Sequence, residues 1–288
     1  MSDHPLVTIG IPTYNRADGH LRQALESALA QRYEPLEIIV SDNCSTDNTA
    51  ELVKSCNDPR IRYAKHCPGL GPLGNFNYCV EAARGDYLLL LHDDDMIDAD
   101  MIETCMAAAG YRSDYGIIRT GVRTIDNDGN TTFESRNRVV GLDVTDFFLG
   151  WFTGKTAIYF CNTLYNTRYL RELGGFAASY VHDGIAIARL AARYPRVDVE
   201  EIKASFRQHP EDQSTFAIKV KTWARDFRGL LDLMIRLTPP ERRAEIRKKG
   251  GRFLSRLSFN RMRAQQPSLQ KLISWFWVVH IFGYRYWR

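Results

Sequence analysis

Tyr87-Leu88-Leu89-Leu90-Leu91, followed by His92 and three aspartates (Asp93, Asp94, Asp95), constrains this chain more than any other stretch. A short apolar run without helical period describes a strand buried on both faces. Three carboxylates at its end repel one another and resist leaving water. A fold keeps them there most easily around a cation, and hard divalent ions such as Mn2+ and Mg2+ take carboxylate and phosphate oxygens. Open α/β sheets bind ligands beyond the carboxyl ends of their strands. Position and chemistry therefore point to a metal site for a phosphorylated ligand. The plain alternative is a solvated acidic loop that caps the next helix.

The rest of the first 115 residues repeats the same grammar. Residues 6–11, 36–40 and 61–63 are short β-rich runs. Leu21, Ala24, Leu25, Ala28 and Leu29 recur at helical spacing behind a possible Asp18 cap. Ser45-Thr46-Asp47 opens a helix to about Ser55, a third helix is expected over 75–83, and a fourth over 98–109. Strands and helices alternating this closely indicate right-handed βαβ units and a mostly parallel sheet. Asp126-Asn127-Asp128-Gly129-Asn130 marks a hairpin. Beyond residue 218 the chain reads as helical, interrupted by Thr238-Pro239-Pro240 and by Gly250-Gly251.

Charge is unevenly placed. Residues 219–288 hold 17 Lys/Arg against 4 Asp/Glu, a net of +13, and residues 1–218 hold 21 against 30, a net of −9. An acidic body with a basic tail suits contact with a polyanionic surface. The six cysteines (Cys44, Cys56, Cys67, Cys79, Cys105, Cys161) show no C-x-x-C pair or zinc-like spacing. Free thiols, mostly in the core, and a reducing cytoplasm are the simplest expectation. The N-terminus MSDHPLVTIG lacks the basic start and long apolar core of a secretory leader, and no apolar run reaches membrane-spanning length.

Two further loops carry chemistry. Pro12-Thr13-Tyr14-Asn15-Arg16 follows the first strand, and an aromatic with a guanidinium there can stack on a base and reach a phosphate. Asp42 ends the second strand, and a carboxylate accepts hydrogen bonds only. It suits the N3–H of uracil or thymine better than cytosine. A nucleoside diphosphate bridged through a metal fits all three strand ends.

PTYNR, SDNCSTDNT and GNFNYCVEAARGDYLLLLHDDD, in this order and spacing over residues 5 to about 110, resemble glycosyltransferase family 2. A looser likeness runs to about residue 215 through Leu173-Gly174-Gly175-Phe176, Asp183 and Arg207-Gln208-His209-Pro210. The resemblance implies an inverting nucleotide-sugar transferase with the GT-A fold, a Rossmann-like, mostly parallel sheet flanked by helices, and Mn2+ or Mg2+ as cofactor. It implies donor-binding roles for Pro12, Thr13, Tyr14, Arg16, Asp42, Asn75, Asp93, Asp94 and Arg207. Asp95 and His209 would face the metal, and Asp183 would be the base. His92 stands where the family often has Asp and reads as a tolerated variant; His182 stands in place of the Glu of the family's Glu-Asp pair. Plainer readings are Asp183 as a helix N-cap and His209 as a surface histidine.

The expected organisation is a catalytic domain over 1–218, with a nucleotide-binding half to about 115 and an acceptor half beyond it, then a basic, aromatic helical extension over 219–288. The extension ends in KLISWFWVVHIFGYRYWR, whose aromatics and cations suit the headgroup level of a bilayer. This points to peripheral attachment at the cytoplasmic, inner face of the cell membrane, to an acceptor glycan that is lipid-linked, and to no nucleic-acid partner. The alternative is a C-terminal helix with its aromatics in the core. The expected activity is transfer from a UDP- or dTDP-sugar to a glycan hydroxyl in cell-surface polysaccharide synthesis. A nucleotidyltransferase of similar build and a non-catalytic nucleotide-sugar-binding protein are the alternatives.

Overall fold

The computed structural model describes residues 4–209, 220–263 and 269–283. In chain order the strands are β1 (Val7–Thr13), β2 (Leu36–Asp42), β3 (Ile61–Lys65), β4 (Tyr87–Leu90), β5 (Met96–Ile97), β6 (Ile117–Ile125), β7 (Thr131–Ser135), β8 (Thr163–Asn166) and β9 (Arg196–Arg207). They form one sheet in the order β3-β2-β1-β4-β8-β6-β9-β5, with β7 paired to β6. The β3-β2-β1-β4 half is parallel, and antiparallel pairs enter at β8, β7 and β5. This is the expected mostly parallel architecture.

Helices α1 (Leu21–Leu29), α2 (Thr49–Ser55), α3 (Gly71–Ala82) and α4 (Met101–Ala108) fill the crossovers. Helices α5 (Val144–Phe152), α6 (Thr167–Glu172) and α7 (His182–Arg193) follow in the second half. The LLLL strand alternates as a doubly covered strand must. Leu88 and Leu90 join one apolar cluster with α3, α5 and α7, while Tyr87, Leu89 and Leu91 join a second with α1, α2 and α4. Helix α3 starts four residues before expectation, because Pro72 occupies its first turn, where no N–H is required. Helix α1 is preceded by His20 without a side-chain cap, so Asp18 does not cap it.

The C-terminal region is α8 (Val220–Leu237), α9 (Arg243–Arg263) and α10 (Leu269–Phe282). Helix α9 runs unbroken through Gly250-Gly251, where a stop was expected. A Cβ at Gly250 would lie 2.6 Å from Leu231 Cδ1 and 2.8 Å from the Phe152 ring, so this glycine allows close packing instead of ending the helix. Gly184 does the same for α7 against α8, since a Cβ there would lie 2.8 Å from Leu230 Cδ2.

The expected boundary at 218/219 lies outside the described residues. Val220, Trp223, Ala224, Phe227, Leu230, Leu231 and Met234 of α8, Ile246 and Leu254 of α9, and Val278 and Phe282 of α10 share one cluster with Phe147, Phe152 and Ile187. Leu269, Leu272, Ile273, Trp275 and Phe276 are exposed, so α10 divides into a packed side and an exposed apolar side. Tyr284, Tyr286 and Trp287 lie outside the described residues.

Because α8 completes the core, Leu230→Ala should cost about 2–5 kcal/mol in urea unfolding, and a chain ending before Val220 should aggregate on expression.

Candidate active site

Register builds the site. Gly10 pairs with Leu90 and Thr13 with Asp42, so continuing three residues past β4 brings Asp93 level with Thr13. Thr13 Oγ1 donates to Asp93 Oδ2 at 2.7 Å. The first and second loops are laced together: Asn15 N–H donates to Ser45 Oγ (2.8 Å), Thr46 N–H to Asn15 Oδ1 (2.8 Å) and Ala17 N–H to Asp47 Oδ2 (2.9 Å). Asp47 also accepts from Thr49 N–H at 3.1 Å at the start of α2, although the N-cap residue itself is Asn48, without a side-chain cap. Tyr14 and Arg16 are exposed on this double loop.

Asp42 is fully buried. Its Oδ1 accepts from Ser45 N–H at 2.7 Å, and its Oδ2 accepts from the Tyr63 hydroxyl. Each oxygen keeps further accepting capacity. Asn75 is buried between the strand ends: it accepts from Ser41 Oγ (2.6 Å) and donates to the carbonyls of Ser41 (2.9 Å) and Thr13 (3.4 Å). Its amide thus fastens β1 to β2.

The expectation of six free thiols fails here. Cys44 and Cys67 are joined by a disulfide, with Cα atoms 5.2 Å apart. The β2–β3 register pairs Asp42 with Lys65, and two residues further on it brings Cys44 beside Cys67. Sequence spacing alone cannot reveal a pair created by strand register. Cys79, Cys105 and Cys161 are buried free thiols. A chain with this disulfide gives no support for a reducing compartment.

The acidic loop is partly dehydrated. Burial, with a smaller contribution from Asp94, pushes Asp93 up to about 6. Burial first, then the Asp94 charge, raises Asp95 well above the usual carboxylate range. One donor atom each from His92, Asp94 and Asp95 lies within 4.8 Å of the others. His92 Nε2 is buried and has no hydrogen-bond partner. Two carboxylates, one of them fully buried, together with an imidazole that has an unsatisfied nitrogen, form a donor set that a divalent cation fits.

His209, expected at the metal, has Nε2 3.0 Å from Asp94 Oδ2 and Nδ1 2.6 Å from Asn127 Oδ1. It borders the cluster and orients Asp94. Arg207, expected to meet a donor diphosphate, is buried and engaged with protein oxygens. Its guanidinium donates to the carbonyls of Asp94 (2.9 Å), Asp126 (2.8 Å) and Asn127 (2.9 Å) and to Gln23 Oε1 (2.6 Å). Its backbone N–H donates to Asp95 Oδ1 at 2.9 Å.

Asp183 lies in the first turn of α7, where Gly184 N–H donates to its Oδ1 at 2.7 Å. Burial pushes it up to about 6. Asp95 and Asp183 line one cavity of about 290 Å³, walled by Phe76, Tyr159, Phe160, Tyr180, Phe206 and Trp223, with His92 and His182 also on its surface. Sequence reasoning missed this aromatic wall and the place of His92 in it. Only the odd histidine before DDD was a signal for it.

A model described as glycosyl transferase family 2 matches residues 8–174. Succinoglycan biosynthesis protein ExoO of Rhizobium meliloti is 42% identical over 108 residues, which is 36% of this chain and 31% of that protein. A Campylobacter jejuni GalNAc(5)-diNAcBac-PP-undecaprenol beta-1,3-glucosyltransferase is 29% identical over 207 residues, 65% of each chain. The chain thus spans less than two thirds of these relatives' lengths. Among solved structures, Staphylococcus aureus TarS 1–349 with UDP-GlcNAc superposes with a TM-score of 0.74 at 16% identity, covering 96% of this chain and 80% of that one. The Pyrobaculum calidifontis mannosyltransferase PcManGT, with GDP-Man and Mn2+, gives 0.59 at 17%, covering 99% and 82%. These likenesses show the GT-A fold.

If Arg207 works by fastening the acidic loop, Arg207→Met should leave its carbonyl acceptors unpaired and lower unfolding stability by roughly 1–3 kcal/mol or more. An arginine serving only a donor would lower donor affinity with no change in the urea midpoint.

Proposed function

Because this chain belongs to glycosyl transferase family 2, we propose that it is a metal-dependent inverting glycosyltransferase. In this reading it moves a sugar from a nucleoside-diphosphate sugar to a hydroxyl of a glycan acceptor. The observation that carries this reading is one cavity that joins Asp183, pushed up to about 6, to Asp95 of the acidic loop. A carboxylate of that basicity can take a proton from an attacking hydroxyl near neutral pH. The neighbouring carboxylates would repel a bare diphosphate and suit it only with a cation between them. Asp94 and Asp95 would hold a divalent cation, Mn2+ or Mg2+, which would supply positive charge against that leaving group. Thr13 holds Asp93 in place, and Arg207 holds Asp94 and Asp95, so we assign Arg207 a positioning role.

We assign Asp42 to the base, with Tyr14 and Arg16 beside it on the exposed double loop. UDP- or dTDP-sugars follow from an acceptor-only carboxylate facing N3–H. The neighbours carry UDP-GlcNAc and GDP-Man respectively, so the fold does not choose the nucleotide. Succinoglycan synthesis and an undecaprenol-linked substrate in the relatives' names support cell-surface polysaccharide synthesis and a lipid-linked acceptor.

No helix among the described residues is long and apolar enough to cross a membrane. Peripheral attachment is supported by the exposed Leu272, Ile273 and Phe276 of α10 and by the exposed Arg247, Lys248, Lys249, Arg252 and Arg256 of α9. The cytoplasmic leaflet is anionic, and each basic residue near it adds about 1 kcal/mol.

Three outcomes check these assignments. Asp183→Asn should lower turnover by at least ~10²-fold with donor affinity little changed, and wild-type turnover should rise with pH through about 6 as Asp183 loses its proton. Retained turnover in the variant would move the base elsewhere. In competition, free uridine diphosphate should outbind the guanosine and cytidine forms; preference for guanosine would remove Asp42 from the base site. Leu272→Ser with Phe276→Ser should weaken sedimentation with phosphatidylserine vesicles and leave the fold intact, because both side chains are exposed. Unchanged sedimentation would exclude this face.

A further inference from the structure

His92 is the ligand-capable group of the acidic loop that the reading above leaves unused. Its ring stacks on Phe76 at 5.2 Å between centroids and tilts against Phe160 at 5.1 Å. Two aromatic walls thus fix the imidazole at the end of β4. Nε2 is buried among them with no hydrogen-bond partner. Such a nitrogen is costly to keep unless something outside the protein satisfies the ring. One of its nitrogens falls within 4.8 Å of carboxylate oxygens of both Asp94 and Asp95. Three donors from three side chains therefore converge within the reach of one ion.

The kind of donor matters. Mg2+ demands near-ideal octahedral oxygen coordination and gives up water reluctantly. Imidazole nitrogen suits transition ions, whose affinity for mixed nitrogen and oxygen sites rises from Mn2+ along the first row. A His-Asp-Asp set therefore disfavours Mg2+ more than a set of carboxylates would. We propose that His92 is a direct ligand of the divalent cation and that its nitrogen makes this site select Mn2+ over Mg2+. The inference rests on the metal-dependent reading of the same site.

The test uses the full chain with Mn2+ or Mg2+ as the probe, alone and with uridine diphosphate. Calorimetry gives the affinities, and pulsed electron paramagnetic resonance of bound Mn2+ shows whether nitrogen is coordinated. The wild type should bind Mn2+ at least ~10-fold more tightly than Mg2+ and show nitrogen coupling. His92→Ala should weaken Mn2+ roughly 10- to 100-fold and abolish the coupling, while His209→Ala should leave the coupling in place. His92→Asp restores an all-oxygen set. It should keep Mn2+ binding, lose the nitrogen coupling and close the gap to Mg2+, which separates ligand loss from misfolding. Unchanged affinity and coupling in His92→Ala would overturn the role of His92 while leaving a metal-dependent enzyme. A wild type that binds neither ion would overturn both readings.

Discussion

The bond from Arg207 N–H to Asp95 Oδ1 ties the acidic loop to the far side of the sheet. It joins the acidic loop after β4 to the end of β9, two strands separated in the sheet by β8 and β6. The Arg207 side chain closes the same link by returning to the Asp94 carbonyl and gathering the hairpin carbonyls of Asp126 and Asn127. Without these contacts, like charge would drive Asp93, Asp94 and Asp95 toward water. The loop stays because its oxygens are partly satisfied from within, by Thr13, by a backbone amide and by His209.

Partial satisfaction is the point of the arrangement. Asp93, Asp95 and Asp183 are all pushed up, with burial as the largest cause in each case. For a raised carboxylate the sign of the linkage is unfavourable: the folded state binds the proton more tightly than the unfolded one, so ionisation costs stability as pH rises from about 4 through about 6. Structural carboxylates of the same fold are treated differently. Glu37, held by Thr8, Arg62 and the Arg84 amide, lies below its usual range although its burial opposes this. The fold thus carries a well-satisfied acid near the start of β2 and poorly satisfied ones past the end of β4 and in the first turn of α7, a contrast typical of functional sites.

The parts legible in the sequence were those that depend on local pattern. The buried run 87–91, the helical spacing of 21–29 and the hairpin signal at 126–130 each fix an element without knowledge of its neighbours. What was not legible depends on register and on packing between distant segments. Cys44 meets Cys67 only because β2 and β3 pair with Asp42 opposite Lys65. Gly250-Gly251 reads as a stop in isolation, yet becomes a contact once Leu231 and Phe152 press against it. Arg207 looks like a phosphate ligand by type, but its burial hands its donors to carbonyls that no local pattern announces.

The C-terminal helices show how one segment serves two surfaces. A basic, aromatic tail can close a core and still leave apolar surface outside it, and α8–α10 divide in this way by face. Trp223 reaches the cavity of Asp183, while Leu230 packs over Gly184 one residue further along α7. The helix that carries Asp183 is therefore supported by the extension itself. In α10, Val278 and Phe282 are buried while Leu272 and Phe276 are exposed. A surface that engages the exposed face would press on helices already packed against the cavity of Asp95 and Asp183. The exposed face of α10 and the shape of the cavity are then mechanically linked, since α8 cannot shift without moving Trp223 and the contact at Gly184.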